Sequence, residues 1–138
     1  MREIKFRGKT ESADKAPKGT WIYGFPYKEE VLWYINYDFP GGFGTGRCKS
    51  NIVIGHTIGQ LTPFTDKNGK PIYEGDVLGD WTEVDGKMHQ SRYAVFFCET
   101  TGQWMLDESL NQDRSYSVSL FAELNDFEYE VLGTIHDK

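Results

Sequence analysis

Apolar and polar residues alternate with period two along most of this chain, and aromatic and β-branched side chains crowd the alternating stretches, which predicts strands rather than helices. Ile4 and Phe6 face one way while Glu3, Lys5 and Arg7 face the other, so residues 2–7 are expected to form a half-buried first strand. Trp21, Tyr23, Phe25 and Tyr27 then share one face of a second strand. Residues 31–37 follow as its hairpin partner, with Trp33 and Ile35 on the face opposite Leu32 and Tyr34. Ile52, Ile54, His56 and Ile58 alternate in a further strand, where Gly55 and Gly59 signal a bulge or a close backbone approach. Residues 93–97, 103–106 and 129–135 read as three more strands, the first two joined by the turn at residues 99–102. Helical spacing occurs in residues 119–127, where Leu120, Phe121 and Leu124 follow Ser119 as a candidate N-cap.

Turn chemistry divides these segments. Residues 65–78, TDKNGKPIYEGDVL, hold two chain reversals: Asn68-Gly69 offers the positive φ of a tight hairpin, and Gly75-Asp76 allows a second bend before Val77-Leu78. Residues 40–46, PGGFGTG, are expected to be a loop, since ordering so many glycines is entropically costly. Short strands between Gly- and Asn-rich turns, without a long helix, predict a mainly β fold, a small antiparallel barrel or sandwich with at most one short helix. The shift near Leu61-Thr62-Pro63 suggests a subdivision of one domain into an aromatic β region, residues 1–61, and a compact C-terminal part, residues 62–138.

Composition narrows the function. The 138 residues are long enough to bury a core without metal or disulfide staples, and 15 Lys plus Arg against 21 Asp plus Glu give a formal charge of −6. That charge disfavours generic binding to nucleic acid or to anionic membranes. It is unevenly spread. Residues 1–9 carry Arg2, Lys5, Arg7 and Lys9 against Glu3 alone, whereas residues 123–130 carry Glu123, Asp126, Glu128 and Glu130 with no base, an asymmetry that suits head-to-tail contact between subunits or simply solubility. Cys48 and Cys98 form no CxxC pair, no apolar run resembles a secretion signal, and no window is apolar enough for a membrane span; the expectation is a cytoplasmic protein of a reducing compartment.

The candidate chemistry is thin. Residues 41–48, GGFGTGRC, approach a P-loop, but Arg47 and Cys48 stand where Lys and Ser or Thr belong, and a strand follows where a helix should receive the phosphates. His56, His89 and His136 are isolated, so no metal site is expected; His56 reads as a partly buried imidazole and Cys98 as an inert thiol in a strand. Glu74 and Asp76 read as turn organisers, and Asp107 with Glu108, like Glu128 with Glu130, as solvated strand edges. No catalytic residue and no cofactor are assigned. The aromatic face of Trp21, Tyr23, Phe25 and Tyr27, together with Trp33, Tyr34, Tyr37 and Phe39, is the most credible functional surface, because interfaces favour Trp and Tyr. Stacking of single-stranded nucleic acid is the rival reading, weakened by the fact that Lys28 and Arg47 are the cations nearest the rings in sequence.

The opening MREIKFR, the central DKNGKPIYEGDVL of residues 66–78 and the closing YEVLGTIH of residues 129–136 together resemble the YopX-like family of phage and prophage proteins. The resemblance implies a mainly β protein of a bacterial host cell and carries over no catalytic residue. From Asp66 onward the order double turn, strand, hairpin, strand is similar to an SH3-like barrel. These readings converge on an expectation: a non-enzymatic binding or assembly module that forms homo-oligomers through Trp21, Tyr23, Phe25, Tyr27 and Trp33, assisted by Arg2, Lys5 and Arg7 against an acidic surface. Another phage or host protein is the alternative partner. A nucleic-acid accessory role in phage replication or transcription is the alternative function, ahead of a nucleotide-dependent enzyme.

Overall fold

The computed structural model describes residues 4–11, 17–37, 49–107 and 117–137. The chain separates into two compact units, Met1–Leu61 and Thr62–Lys138. Strands dominate both, and among the described residues there is one α-helix and no helix long and apolar enough to cross a membrane.

In the first unit, β1 (Phe6–Lys9), β2 (Trp21–Glu29), β3 (Leu32–Tyr37), β4 (Lys49–Val53) and the start of β5 (Gly59–Thr65) form an antiparallel sheet in the order β4-β3-β2-β1-β5. Ile22, Ile35 and Val53 make its buried cluster, with Trp33 and Ile58 packed against them. Gly8 is the residue that lets them close up, because a methyl there would stand 3.0 Å from Ile35 Cδ1 and 3.3 Å from Val53 Cβ. The loop entering β2 is pinned by the fully buried Thr10, whose hydroxyl donates to the Pro17 carbonyl at 2.6 Å and accepts from the Thr20 N–H at 3.1 Å.

The first strand begins later than expected, at Phe6, and the expected strand through Ile58 is interrupted: β4 ends at Val53, and Gly55–Thr57 form a 3-10 turn. Side-chain bonding explains the break. Thr57 Oγ1 donates to the Ile54 carbonyl at 2.6 Å and accepts the Lys9 N–H at 2.9 Å, which folds the chain out of the extended form. His56 is carried to the exterior, not into the partly buried place expected of it.

In the second unit the later residues of β5 pair with β6 (Pro71–Tyr73), and β7 (Asp76–Val84), β8 (Lys87–Cys98), β9 (Gln103–Asp107), β10 (Ser117–Ser119) and β11 (Glu130–Thr134) form a sheet in the order β10-β9-β8-β7-β11. Its ends, β10 and β11, are not paired with each other, so the expected barrel is not closed. Ile72, Leu78, Val95, Leu106, Leu120 and Tyr129 make the core. The helix α1 (Leu120–Asp126) starts where Ser119 Oγ accepts the Ala122 N–H at 3.3 Å, the cap read from the sequence.

The double-turn segment forms both reversals, with one change. Gly69 has φ +80°, while Asn68 does not take positive φ; the first turn is closed by the Gly69 N–H on the Asp66 carbonyl at 3.0 Å, so it is centred one residue earlier than Asn68-Gly69. Gly75, at φ +91°, makes the second bend. The largest departure lies beyond it. β7 and β8 pair with each other out to the turn at Asp85 and Gly86, and residues 81–90 are all exposed, a long two-stranded arm absent from the sequence reading.

Candidate functional site

Strand alternation sorts the first unit's side chains onto two faces. Ile22, Pro26 and Ile35 lie on the inner one, since Pro26 sits opposite Ile35 and Ile22 belongs to the buried cluster. Trp21, Tyr23, Phe25 and Tyr27 therefore share the outer face, with Tyr34 opposite Tyr27. Tyr27 and Tyr34 stack with ring centres 5.1 Å apart and planes 11° from parallel. Tyr23 is 41 % and Phe25 46 % exposed.

The register of β1 against β2 sets a cation beside the rings at successive outward positions: Arg7 opposes Tyr23, and Lys9 opposes Trp21. Lys5 Nζ stands 5.5 Å from the Tyr23 ring centre, the Arg7 guanidinium 4.3 Å and Lys9 Nζ 5.4 Å from that of Trp21. Each such contact contributes roughly 0.5–1 kcal/mol at an exposed site. Chemically the arrangement is a ladder of aromatic rings lined with positive charge, able to bury apolar surface and attract anions at once.

The residues named from sequence are thus divided. Trp21, Tyr23, Phe25, Tyr27 and Lys5 lie together on the outer face. Arg7 is on the same face but only 6 % exposed, packed on Trp21, so it shapes the surface more than it presents itself. Trp33 lies on the inner face against Ile22, Ile35 and Val53, with Lys28 Nζ 5.9 Å from its ring centre. Arg2 and Arg47 fall outside the described residues, as do residues 41–48 with their P-loop-like spacing. Sequence reasoning counted Lys28 and Arg47 as the cations near the rings and did not assign Lys9 to the surface; Tyr34, counted with the rings from sequence, lies opposite Tyr27, and Phe39 falls outside the described residues. The missing signal was present in the spacing, since Lys5, Arg7 and Lys9 repeat with the same period as Trp21, Tyr23 and Phe25.

Elsewhere the titratable groups organise backbone. Asp66 is buried and accepts N–H bonds from Asn68 and Lys70 at 2.8 Å each and from Val131 at 3.0 Å, joining the first turn to the start of β11. Burial pushes its carboxyl upward, but the Val131, Lys70 and Asn68 bonds and the Lys70 charge outweigh it and hold the group below its ordinary value. Asp76, 1 % exposed, accepts the Tyr73 N–H at 2.7 Å within the second turn, as a turn organiser should. Asp107 is equally buried and so is not the solvated edge residue expected of it. Burial and the 2.9 Å bond that the Tyr129 hydroxyl donates to Glu123 raise the phenol well above its usual range.

Cys98 is a half-buried thiol. Among the described residues no group of three or more His, Cys, Asp or Glu side chains is placed to hold a metal ion. Phe64, Gly102, Gln103, Trp104, Ser119 and Phe121 line an open groove of about 360 Å³ in the second unit. It gathers the rings of Phe64, Trp104 and Phe121.

Compared with known proteins, residues 5–138 match a family model described as YopX protein. No curated protein and no solved structure matches the chain.

Proposed function

The chain belongs to the YopX family, and from that premise we propose a non-enzymatic binding and assembly protein that self-associates through the ring-and-cation face of its first unit. The observation that carries this reading is the exposure of Tyr23 and Phe25, 41 % and 46 %, on a sheet whose buried cluster among the described residues is Ile22, Ile35 and Val53. An apolar surface of that kind is ordinarily covered in use, and Tyr and Trp cover well because each buries a large area with few rotors. The proposed setting is the cytoplasm of a bacterium carrying the phage or prophage source of the protein. An SH3-like origin of residues 62–138 is part of the proposal, resting on the succession of double turn, hairpin and final strand.

Size-exclusion chromatography with light scattering tests it. The wild type is expected to run as an oligomer at micromolar concentration and Tyr23→Ala with Phe25→Ala as a folded monomer. A monomeric wild type contradicts the reading.

One observation favours a second reading. Lys5, Arg7 and Lys9 lie beside the rings, which is the combination that stacks and steers single-stranded nucleic acid. That reading predicts oligonucleotide binding that weakens steeply with salt. The chain's charge of −6 weighs against it.

A further inference from the structure

We propose that the ring-and-cation face is covered by residues 121–130 of a second copy, in a head-to-tail contact; this rests on the self-association reading above and names the partner surface. Two surfaces of the chain have matching chemistry and opposite sign. Residues 4–10 contain Lys5, Arg7 and Lys9 and no carboxylate, beside the exposed rings of Tyr23 and Phe25. Residues 121–130 contain Glu123, Asp126, Glu128 and Glu130 and no base.

The acidic segment is also apolar where it faces out. Leu120 is fully buried and Leu124 packs on the core, which fixes α1 and turns Phe121 outward at 61 % exposure. Phe127, just past the helix, is 54 % exposed, and Asp126 and Glu128 on either side of it are exposed too. Glu123 is occupied by the Tyr129 hydroxyl, so Asp126 and Glu128 are the carboxylates best placed to meet a partner. The segment thus presents rings flanked by negative charge to match rings flanked by positive charge.

Charge sign selects the geometry of the contact. A symmetric dimer through the ring-and-cation face would bring two patches of the same positive charge, Lys5 and Lys9 of each copy, into one interface, and like charges gathered there disfavour association. A symmetric dimer through residues 121–130 meets the same difficulty with carboxylates. Joining one surface to the other removes both repulsions and buries rings on each side. Such a heterologous contact leaves a joined pair with one unused surface of each kind, one on each copy, so it closes into a ring or extends as a chain.

Two charge-reversed proteins test the inference by sedimentation velocity at micromolar concentration, with circular dichroism to check folding. One carries Lys5→Glu and Lys9→Glu, the other Asp126→Lys and Glu128→Lys. Each alone is expected to associate at least tenfold more weakly than wild type, and mixing the two is expected to restore association, because each then offers the surface the other needs. The neutral pairs Lys5→Gln with Lys9→Gln and Asp126→Asn with Glu128→Gln serve if a reversal unfolds, each expected to weaken association severalfold.

If the wild type associates and either variant of Asp126 and Glu128 associates equally well, this inference is overturned while self-association stands. The same holds if the mixed reversals stay monomeric. A wild type that is monomeric at micromolar concentration overturns both. Salt-sensitive binding of a single-stranded oligonucleotide by that monomer, lost in Lys5→Glu with Lys9→Glu, would assign the face to nucleic acid instead.

Discussion

The two units spend their aromatic residues differently. In the second unit Tyr129 belongs to the buried core, Tyr93 packs edge-on against it at 5.6 Å between ring centres, and Trp104 lies over the same cluster beside Phe97. In the first unit the core among the described residues is aliphatic apart from Trp33, and Trp21, Tyr23, Phe25 and Tyr27 lie on the other face, next to lysine and arginine. The rings packed on the second unit's core therefore hold the fold together, whereas Tyr23 and Phe25 lie half exposed on the first unit's outer face, as Phe121 and Phe127 do on the second unit's surface. Aromatic content alone does not distinguish the two uses; the neighbours of each ring do.

Substitutions in the cores should produce the largest effects. Leu78, fully buried among the residues of the second unit's core, is expected to lose about 2–5 kcal/mol of stability as Leu78→Ala. Ile35→Ala in the smaller first-unit cluster should fall toward the lower end of that range, and urea unfolding of both proteins measures the difference. A larger loss at Ile35 would break the comparison, since it would make the first unit the better packed.

Gly79→Ala should cost about 1–3 kcal/mol by overpacking, because the added methyl would collide with Leu132 Cδ1 and stand 2.5 Å from the Ser91 carbonyl oxygen, a backbone atom that cannot swing aside. Thermal unfolding checks it.

Asp66→Asn is expected to cost about 1–3 kcal/mol near neutral pH, since the carboxylate accepts three backbone N–H groups. The pH dependence has a definite sign. The folded carboxyl lies below its ordinary 3.8, so its contribution is fully present above that pH and is lost as the pH falls through the lower folded value. The stability gap between wild type and Asp66→Asn should shrink below about pH 4. A constant gap from pH 6 to pH 2 would contradict this account of the turn.

The smallest stability effect belongs to the outer face. Tyr23→Ala should change the unfolding free energy of the monomer by about 0.5–1 kcal/mol, the size of its contact with Lys5. Its association should nevertheless weaken about tenfold. A large stability loss without a change in association would place Tyr23 with the core rings and erase the contrast between the units.

Local signals were legible in the sequence, and non-local ones were not. The outer ring face follows from alternation within a single strand, and α1 from Ser119 and the spacing of Leu120 and Leu124. The cations escaped because Lys9 and Trp21 become neighbours only through the β1–β2 register. The arm of β7 and β8 escaped because residues 81–90 have no buried face and so carry no clean alternation of apolar and polar side chains. A signal was there: Asp85-Gly86, with φ of +53° and +77°, is a hairpin dipeptide of the strongest kind. Asp107 read as an edge residue because charge suggests exposure, and nothing local shows that β9 lies between β8 and β10.

Hydroxyl-radical footprinting of Tyr23 and Phe25 across a dilution series tests most directly whether another copy covers the outer face. The account predicts that both rings are protected at high protein concentration and become reactive on dilution, while the core residue Tyr129 stays protected throughout. Equal reactivity of Tyr23 and Phe25 at every concentration would contradict it.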